Sequence, residues 1–112
     1  VFWIMYTYRA KIISVYDGDT VTALVDLGFG ITNKIKIRLK GINTPEVRGA
    51  ERPEGIVSRD YLRNLILDKN IILQTFRDKT GKYGRYIGVL WIDDTNVNEL
   101  LVEQGYAETR EY

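Results

Sequence analysis

The chain has 112 residues, no cysteine and no histidine, and its 16 Lys+Arg against 15 Asp+Glu leave a formal charge of +1. The first absence excludes a disulfide framework, a thiolate nucleophile and the usual structural zinc site; the second excludes imidazole acid–base chemistry, a Ser-His triad and a histidine-held metal. A bound metal must be held by oxygen, which points to calcium or magnesium, and proton transfer falls to Asp, Glu, Lys, Tyr or a cation-activated water. The length suits one domain, expected over residues 1–112. With 45% apolar and 28% charged residues, the composition is that of an ordinary globular protein. The near-neutral total hides an asymmetry. Residues 34–63 carry eight basic and four acidic side chains, the rest eight basic and eleven acidic, so the positive excess is central.

The chain opens on Val1-Phe2-Trp3-Ile4-Met5-Tyr6, with Arg9 and Lys11 close behind. This run is far short of the roughly 20 apolar residues that span a membrane. It also lacks the charged head and small-residue cleavage site of a signal peptide. Met5 is a candidate natural start. Neither a cytoplasmic nor a processed, secreted location is favoured, and a monomer is expected.

No repeat, low-complexity tract or linker interrupts the sequence. Thr7 to Tyr16 is rich in β-branched and aromatic residues, and Asp17-Gly18 signals a tight turn. Thr20 to Leu27 resumes an apolar run, and Gly28-Phe29-Gly30 marks a second turn. Lys34 to Lys40 alternates charged and apolar residues with period two, as a half-buried strand does. Asn43-Thr44-Pro45 ends that pattern, because proline cannot donate to a ladder. From about Pro53 to Asp68 the period is helical: Val57, Tyr61 and Leu65 fall four apart, with Leu62 and Ile66 beside them. Ile71 to Arg77 and Arg85 to Ile92 form two more strands around a polar loop. Asn96 with Glu99 resembles a capping box, and Gly105 suits the position past a helix end. The order β-β-β-α-β-β-α predicts a mainly β, α+β fold: a five-stranded OB-fold barrel with flanking helices, an architecture that often binds nucleic acid.

Four polar clusters carry candidate chemistry. Asp17-Gly18-Asp19-Thr20 is either a plain hairpin turn or a turn that aims Asp19 into a cleft as a hard-metal ligand. The run from Arg38 through Asn43, Thr44, Pro45 and Glu46 is either a charged strand ending in a loop or a set of oxygens beside an arginine. An arginine next to a hard cation makes sense when both address one anion, and a phosphodiester is such an anion. Lys82-Tyr83-Gly84-Arg85 is either a solvated loop or a second phosphate clamp, since the guanidinium fork matches two phosphate oxygens. Arg48, Glu51 and Arg52 are expected to be mostly solvated surface, with backbone contact to a nucleic acid as the alternative.

In this order the clusters resemble the staphylococcal nuclease family. The matching residues are Asp17-Gly18-Asp19-Thr20-Val21, Arg38 with Thr44-Pro45-Glu46, Lys82-Tyr83-Gly84-Arg85, and the closing Val97-Asn98-Glu99, Leu101-Val102, Gln104-Gly105 and Ala107. The resemblance runs from about Tyr6 to Ala107. It implies an OB-fold nuclease that hydrolyses DNA and RNA with one calcium ion and leaves 3′-phosphate products. It implies roles residue by residue: Asp19 as calcium ligand, Thr44 giving its backbone carbonyl to the ion, Glu46 positioning and deprotonating water, Arg38 and Arg85 gripping the scissile phosphate, Lys82 and Tyr83 lining the nucleotide site. The family's aspartate before Thr-Pro is Asn43 here, a neutral oxygen ligand, so weaker calcium binding is expected. The chain stops at Tyr112, before a further helix of the family's type protein; Tyr112 is a loose counterpart of the tyrosines that close its nucleotide site. The competing expectation is a catalytically weak or inactive nuclease-like OB-fold module that binds nucleic acid or protein.

Overall fold

Alternation and turn chemistry place the strands, and the computed structural model describes residues 6–76 and 86–110. Strand β1 (Tyr6–Asp17) pairs antiparallel with β2 (Thr20–Asp26), which pairs with β3 (Thr32–Leu39). A short β4 (Ile42–Asn43) and a single 3₁₀ turn (Gly49–Glu51) lead into helix α1 (Arg52–Ile66). Then follow β5 (Asn70–Phe76), β6 (Tyr86–Ile92), a two-residue β7 (Thr95–Asn96), helix α2 (Val97–Glu103) and β8 (Glu108–Thr109). The order β3-β2-β1-β5-β6 closes on itself through a parallel β3–β6 pairing, giving a five-stranded barrel of OB-fold type. The expected order of five strands and two helices is observed. The short β4–β8 and β6–β7 pairings are additions that two-residue segments do not announce in a sequence.

The inward positions of each strand fill the barrel: Ile12, Val21, Ala23, Ile37, Leu39, Leu73 and Leu90 are fully buried. Each large side chain of this kind contributes roughly 1.5–3 kcal/mol on burial. Helix α2 seals one side with Val97 and Leu101, capped at its start by Asn96, whose side chain accepts the Glu99 N–H at 3.1 Å. Gly105, just past its end, has φ +82°. Helix α1 differs from the expected face. Its buried seam is Gly55, Ser58, Leu62 and Ile66; Tyr61 and Leu65 are half-buried and Val57 is exposed. The reason is that α1 lies close against backbone: a Cβ at Gly55 would overlap the carbonyl of Glu46. No helix among the described residues is long and apolar enough to cross a membrane.

Candidate active site

Antiparallel pairing in an unbroken register sets Thr20 opposite Arg38, which brings the β1–β2 turn beside the end of β3. There the Arg38 Nη1 meets Asp19 Oδ2 at 2.9 Å, an ion pair whose side chains are only 12% and 8% exposed. Arg38 Nη1 also donates to the Asp19 carbonyl at 3.4 Å, and Nη2 donates to Asn43 Oδ1 at 3.4 Å. The Asp19 carboxylate accepts twice more, from the Thr44 N–H at 3.0 Å and the Thr20 hydroxyl at 3.3 Å. One carboxylate thus ties together three segments distant in sequence: the β1–β2 turn, the end of β3 and the loop after β4. The sequence reading placed Asp19 in a cleft facing a cation. The structure places it in a buried polar knot, with Arg38 bound to it directly.

The neighbouring Asp17 is the residue that sequence reasoning passed over. Read as half of a turn, it is in fact buried, and its Oδ1 accepts the Asp19 N–H at 3.0 Å. Burial pushes its carboxyl up to about 7; the hydrogen bond and charge of Asp19 add to the rise, and the charge of Glu46 adds a little more. Two carboxyl groups are thereby held side by side, and burial disfavours the charged form of Asp17. The signal available in the sequence was the repeat of aspartate on both sides of Gly18. That glycine is required for closeness and not for a left-handed backbone, since it is absent from the positive-φ residues. A Cβ on it would stand 2.8 Å from Thr44 Cγ2 and 2.9 Å from Ser58 Cβ.

Thr44 sits buried at the centre, and its hydroxyl has no hydrogen-bond partner among the described residues. Glu46, two residues on, is exposed; its N–H donates to Glu51 Oε1 at 3.5 Å. The loop is braced by Arg52, which donates to the Val47 carbonyl at 2.9 Å, and by Arg48, which donates to the Tyr16 hydroxyl at 2.7 Å. Arg48, Glu51 and Arg52 are exposed, as expected, but all three also have this bracing role. A residue not singled out earlier, Arg110, reaches Asn43 Oδ1 at 3.5 Å, so two guanidinium groups converge on that one amide oxygen. Its backbone N–H, bonded to the Gly41 carbonyl at 2.8 Å beside the β4–β8 pair, holds it there. Lys82, Tyr83, Arg85 and Tyr112 lie outside the described residues.

Could these groups hold a hard cation? Among the described residues no set of three or more acidic side chains is clustered for a metal. The available donors are two carboxylates, Asp17 and Asp19, the amide oxygen of Asn43 and the unpartnered Thr44 hydroxyl. All are oxygen, and two are carboxyl groups. The chemistry of that donor set suits a hard cation such as calcium and not a thiolate- or imidazole-seeking metal.

The sequence profile described as "Staphylococcal nuclease homologue" matches residues 36–112, which includes Arg38 and the whole Asn43–Glu46 loop. The chain belongs to the staphylococcal nuclease homologue family. Among relatives, an uncharacterized endonuclease of Haemophilus influenzae is 34% identical over 98 residues, covering 87% of this chain and 49% of its own. The thermonuclease of Staphylococcus hyicus is 28% identical over 105 residues, covering 91% and 59%. Protein ParB of Escherichia coli is 29% identical over 108 residues, covering 88% and 55%. The chain spans about half to three-fifths of the length of these relatives.

Proposed function

We propose that the chain is a calcium-dependent nuclease that hydrolyses phosphodiester bonds of DNA or RNA with little sequence specificity and leaves 3′-phosphate ends. The observation that carries this reading is the Arg38–Asp19–Thr44 knot, in which a guanidinium is held against a buried carboxylate and neighbouring oxygens; a guanidinium beside a hard-cation donor set suits a phosphodiester. The names of family relatives support the same activity, among them a thermonuclease and an endonuclease. Asp19, Asn43 and Thr44 would hold calcium, with Asp17 behind them; bound there, the ion neutralises charge on the phosphate and lowers the barrier to attack by water.

The protein's own groups do the rest. Arg38 enters the reaction already oriented by Asp19 and Asn43, so little rotamer freedom is lost when it grips phosphate oxygens. A phosphodiester carries one negative charge and its pentacoordinate transition state carries two. The fixed guanidinium of Arg38 therefore strengthens its hold as the reaction proceeds, and Arg85 is proposed as a second phosphate-gripping arginine. Glu46 orients the attacking water and accepts its proton while the 5′ oxygen departs. Lys82, Tyr83 and Tyr112 complete the nucleotide site. Contacts of this type read the backbone and not base edges, which explains low sequence specificity.

The test is incubation with plasmid and single-stranded DNA, in calcium and in chelator. Cleavage that needs calcium, and that Glu46→Ala and Arg38→Ala each reduce about 10²–10³-fold with little change in binding, supports the reading. Chelator-resistant cleavage refutes the metal mechanism. Bound but uncut DNA at high calcium establishes a binding module, the reading that Asn43 favours through its missing charge.

A further inference from the structure

Every second residue of β3 lies on its outer side, and three of these are cations: Lys34 and Lys36, both exposed, and Arg38, largely buried in its ion pair with Asp19. The alternating residues Ile35, Ile37 and Leu39 point into the barrel and are half-buried or buried. The β2–β3 register runs without a bulge from Thr20↔Arg38 to Asp26↔Thr32, so the row is not broken by any twist out of phase. Opposite the three cations stand Thr20, Thr22 and Leu24, none of them charged. Among the described residues no carboxylate pairs with Lys34 or Lys36. The interval along the row is about 7 Å, twice the rise per residue of a strand. That is close to the spacing of successive phosphates along one nucleic-acid strand. Beside Arg38 a further cation, Arg110, shares the Asn43 oxygen with it.

Beyond Lys34 the hairpin ends in Leu27-Gly28-Phe29-Gly30-Ile31. Phe29 is fully exposed at 101% and Leu27 and Ile31 are exposed beside it. This tip is built and not loose. Asp26 Oδ1 accepts the Gly28 N–H at 2.8 Å, the Leu27 N–H donates to the Ile31 carbonyl at 2.9 Å, and the Ile31 N–H donates to the Gly28 carbonyl at 2.8 Å. Three successive left-handed residues, Gly28 (φ 81°), Phe29 (φ 55°) and Gly30 (φ 73°), turn the chain, a conformation that is uncommon for phenylalanine. The backbone of the tip is fixed, and the fully exposed Phe29 ring is not packed in the described structure.

We infer that the β2–β3 hairpin is a rail for one strand of nucleic acid, with Arg110 and Arg38 at the scissile phosphate, Lys36 and Lys34 on the next two, and Phe29 stacking on a base beyond them. The inference rests on the nuclease reading only for the place of the scissile bond. The rail favours single strands, because a base paired in a duplex has no free face for Phe29. About 20 Å separates Arg38 from the hairpin end, six residues of strand, so the full grip needs about five nucleotides.

The experiment measures binding of labelled oligothymidylates of about 3 and about 12 nucleotides in chelator, between about 50 and 200 mM salt. Melting curves check that each variant is folded. For the longer oligomer, Lys34→Gln with Lys36→Gln is expected to weaken binding about tenfold and to reduce the salt slope by about 1.4, the release expected for two phosphate contacts on a single strand. Phe29→Ser should weaken single-strand binding about tenfold and leave duplex binding unchanged. Arg9→Gln with Lys69→Gln, which removes the same charge elsewhere, should change affinity less than about twofold. The rail is refuted if the wild-type protein does not bind the longer oligomer, or if the two charge-removed variants weaken alike. It is also refuted if Lys34→Gln with Lys36→Gln binds normally, or if Phe29→Ser does, as a tip that docks a protein would. A protein that binds through the row yet cuts nothing in calcium overturns the nuclease reading and keeps the rail. Normal cleavage with unchanged binding in the row variant does the reverse.

Discussion

Replacing Gly18 by alanine tests whether the closeness of three segments, and not turn conformation, is what that residue supplies. The added methyl would lie 2.8 Å from Thr44 Cγ2 and 2.9 Å from both Thr44 Cβ and Ser58 Cβ. Carbon atoms in ordinary contact stand about 3.5–4.0 Å apart, so the neighbours must retreat by about 0.7 Å or more. Neither can yield by swinging a flexible tail, because the touched atoms are branched Thr44 and the Cβ of a residue in α1. Overpacking of this sort costs about 1–3 kcal/mol, which for a chain of this length is a fall in Tm of about 5–15 °C. Thr44 is the more exposed to harm, since its N–H holds the Asp19 carboxylate at 3.0 Å and its hydroxyl is a proposed cation donor. A displacement approaching 1 Å at a reacting centre costs up to about 10²-fold in rate. The assay compares turnover of single-stranded DNA at saturating calcium, below both melting temperatures, with thermal melting of the same samples. The expected result is a Gly18→Ala enzyme that is less stable and about 10- to 100-fold slower. A variant with wild-type turnover and an unchanged Tm would show that the turn tolerates a side chain and that the packing argument is wrong.

Three other outcomes follow from the same geometry. Asn43→Asp should bind calcium on the order of tenfold more tightly, because a further carboxylate joins Asp19 among the proposed ligands; calcium titration of activity decides it, and unchanged affinity sinks the idea. Asp17→Asn should flatten the pH dependence of stability in chelator. The folded state holds the Asp17 proton up to about 7 against 3.8 in the unfolded chain, so its contribution is complete below about 4 and is lost as pH rises toward 7. Urea unfolding at pH 5 and pH 8 reads this: the wild type should lose more stability between the two than the variant does. Asn98→Ala should cost about 2 kcal/mol or more by denaturant unfolding. The buried Asn98 side chain accepts the Leu90 N–H at 3.2 Å and donates to the Lys40 and Gly88 carbonyls at 2.9 and 3.1 Å; its removal takes this partner from the Leu90 N–H and the Lys40 carbonyl, while the Gly88 carbonyl keeps the Lys40 N–H at 2.8 Å. A loss below about 1 kcal/mol would mean that other groups replace those bonds.

The sequence alone determined the local alphabet of this fold. Period two over Lys34–Lys40 and the glycine turns fixed the β2–β3 hairpin, and the Asn96–Glu99 spacing fixed the start of α2, because those signals act over a few residues. It also determined which chemistry was available, since a chain without histidine or cysteine has only oxygens and cations to offer. Arg38, Asp19 and the Asn43–Thr44 loop were legible as candidates, and the fold does bring them together. What the tertiary structure decided is the company each residue keeps. Val57 follows the helical period yet faces water, because α1 packs through Gly55 and Ser58 against the Glu46 loop and Gly18. Asp17 looked like turn filler, but closure of the barrel buries it beside Asp19 and drives its carboxyl toward neutrality. Arg110 carries no motif at all and reaches Asn43 only through the β4–β8 pairing across the chain. Burial and long-range charge depend on contacts between segments far apart in sequence, and no local pattern encodes them.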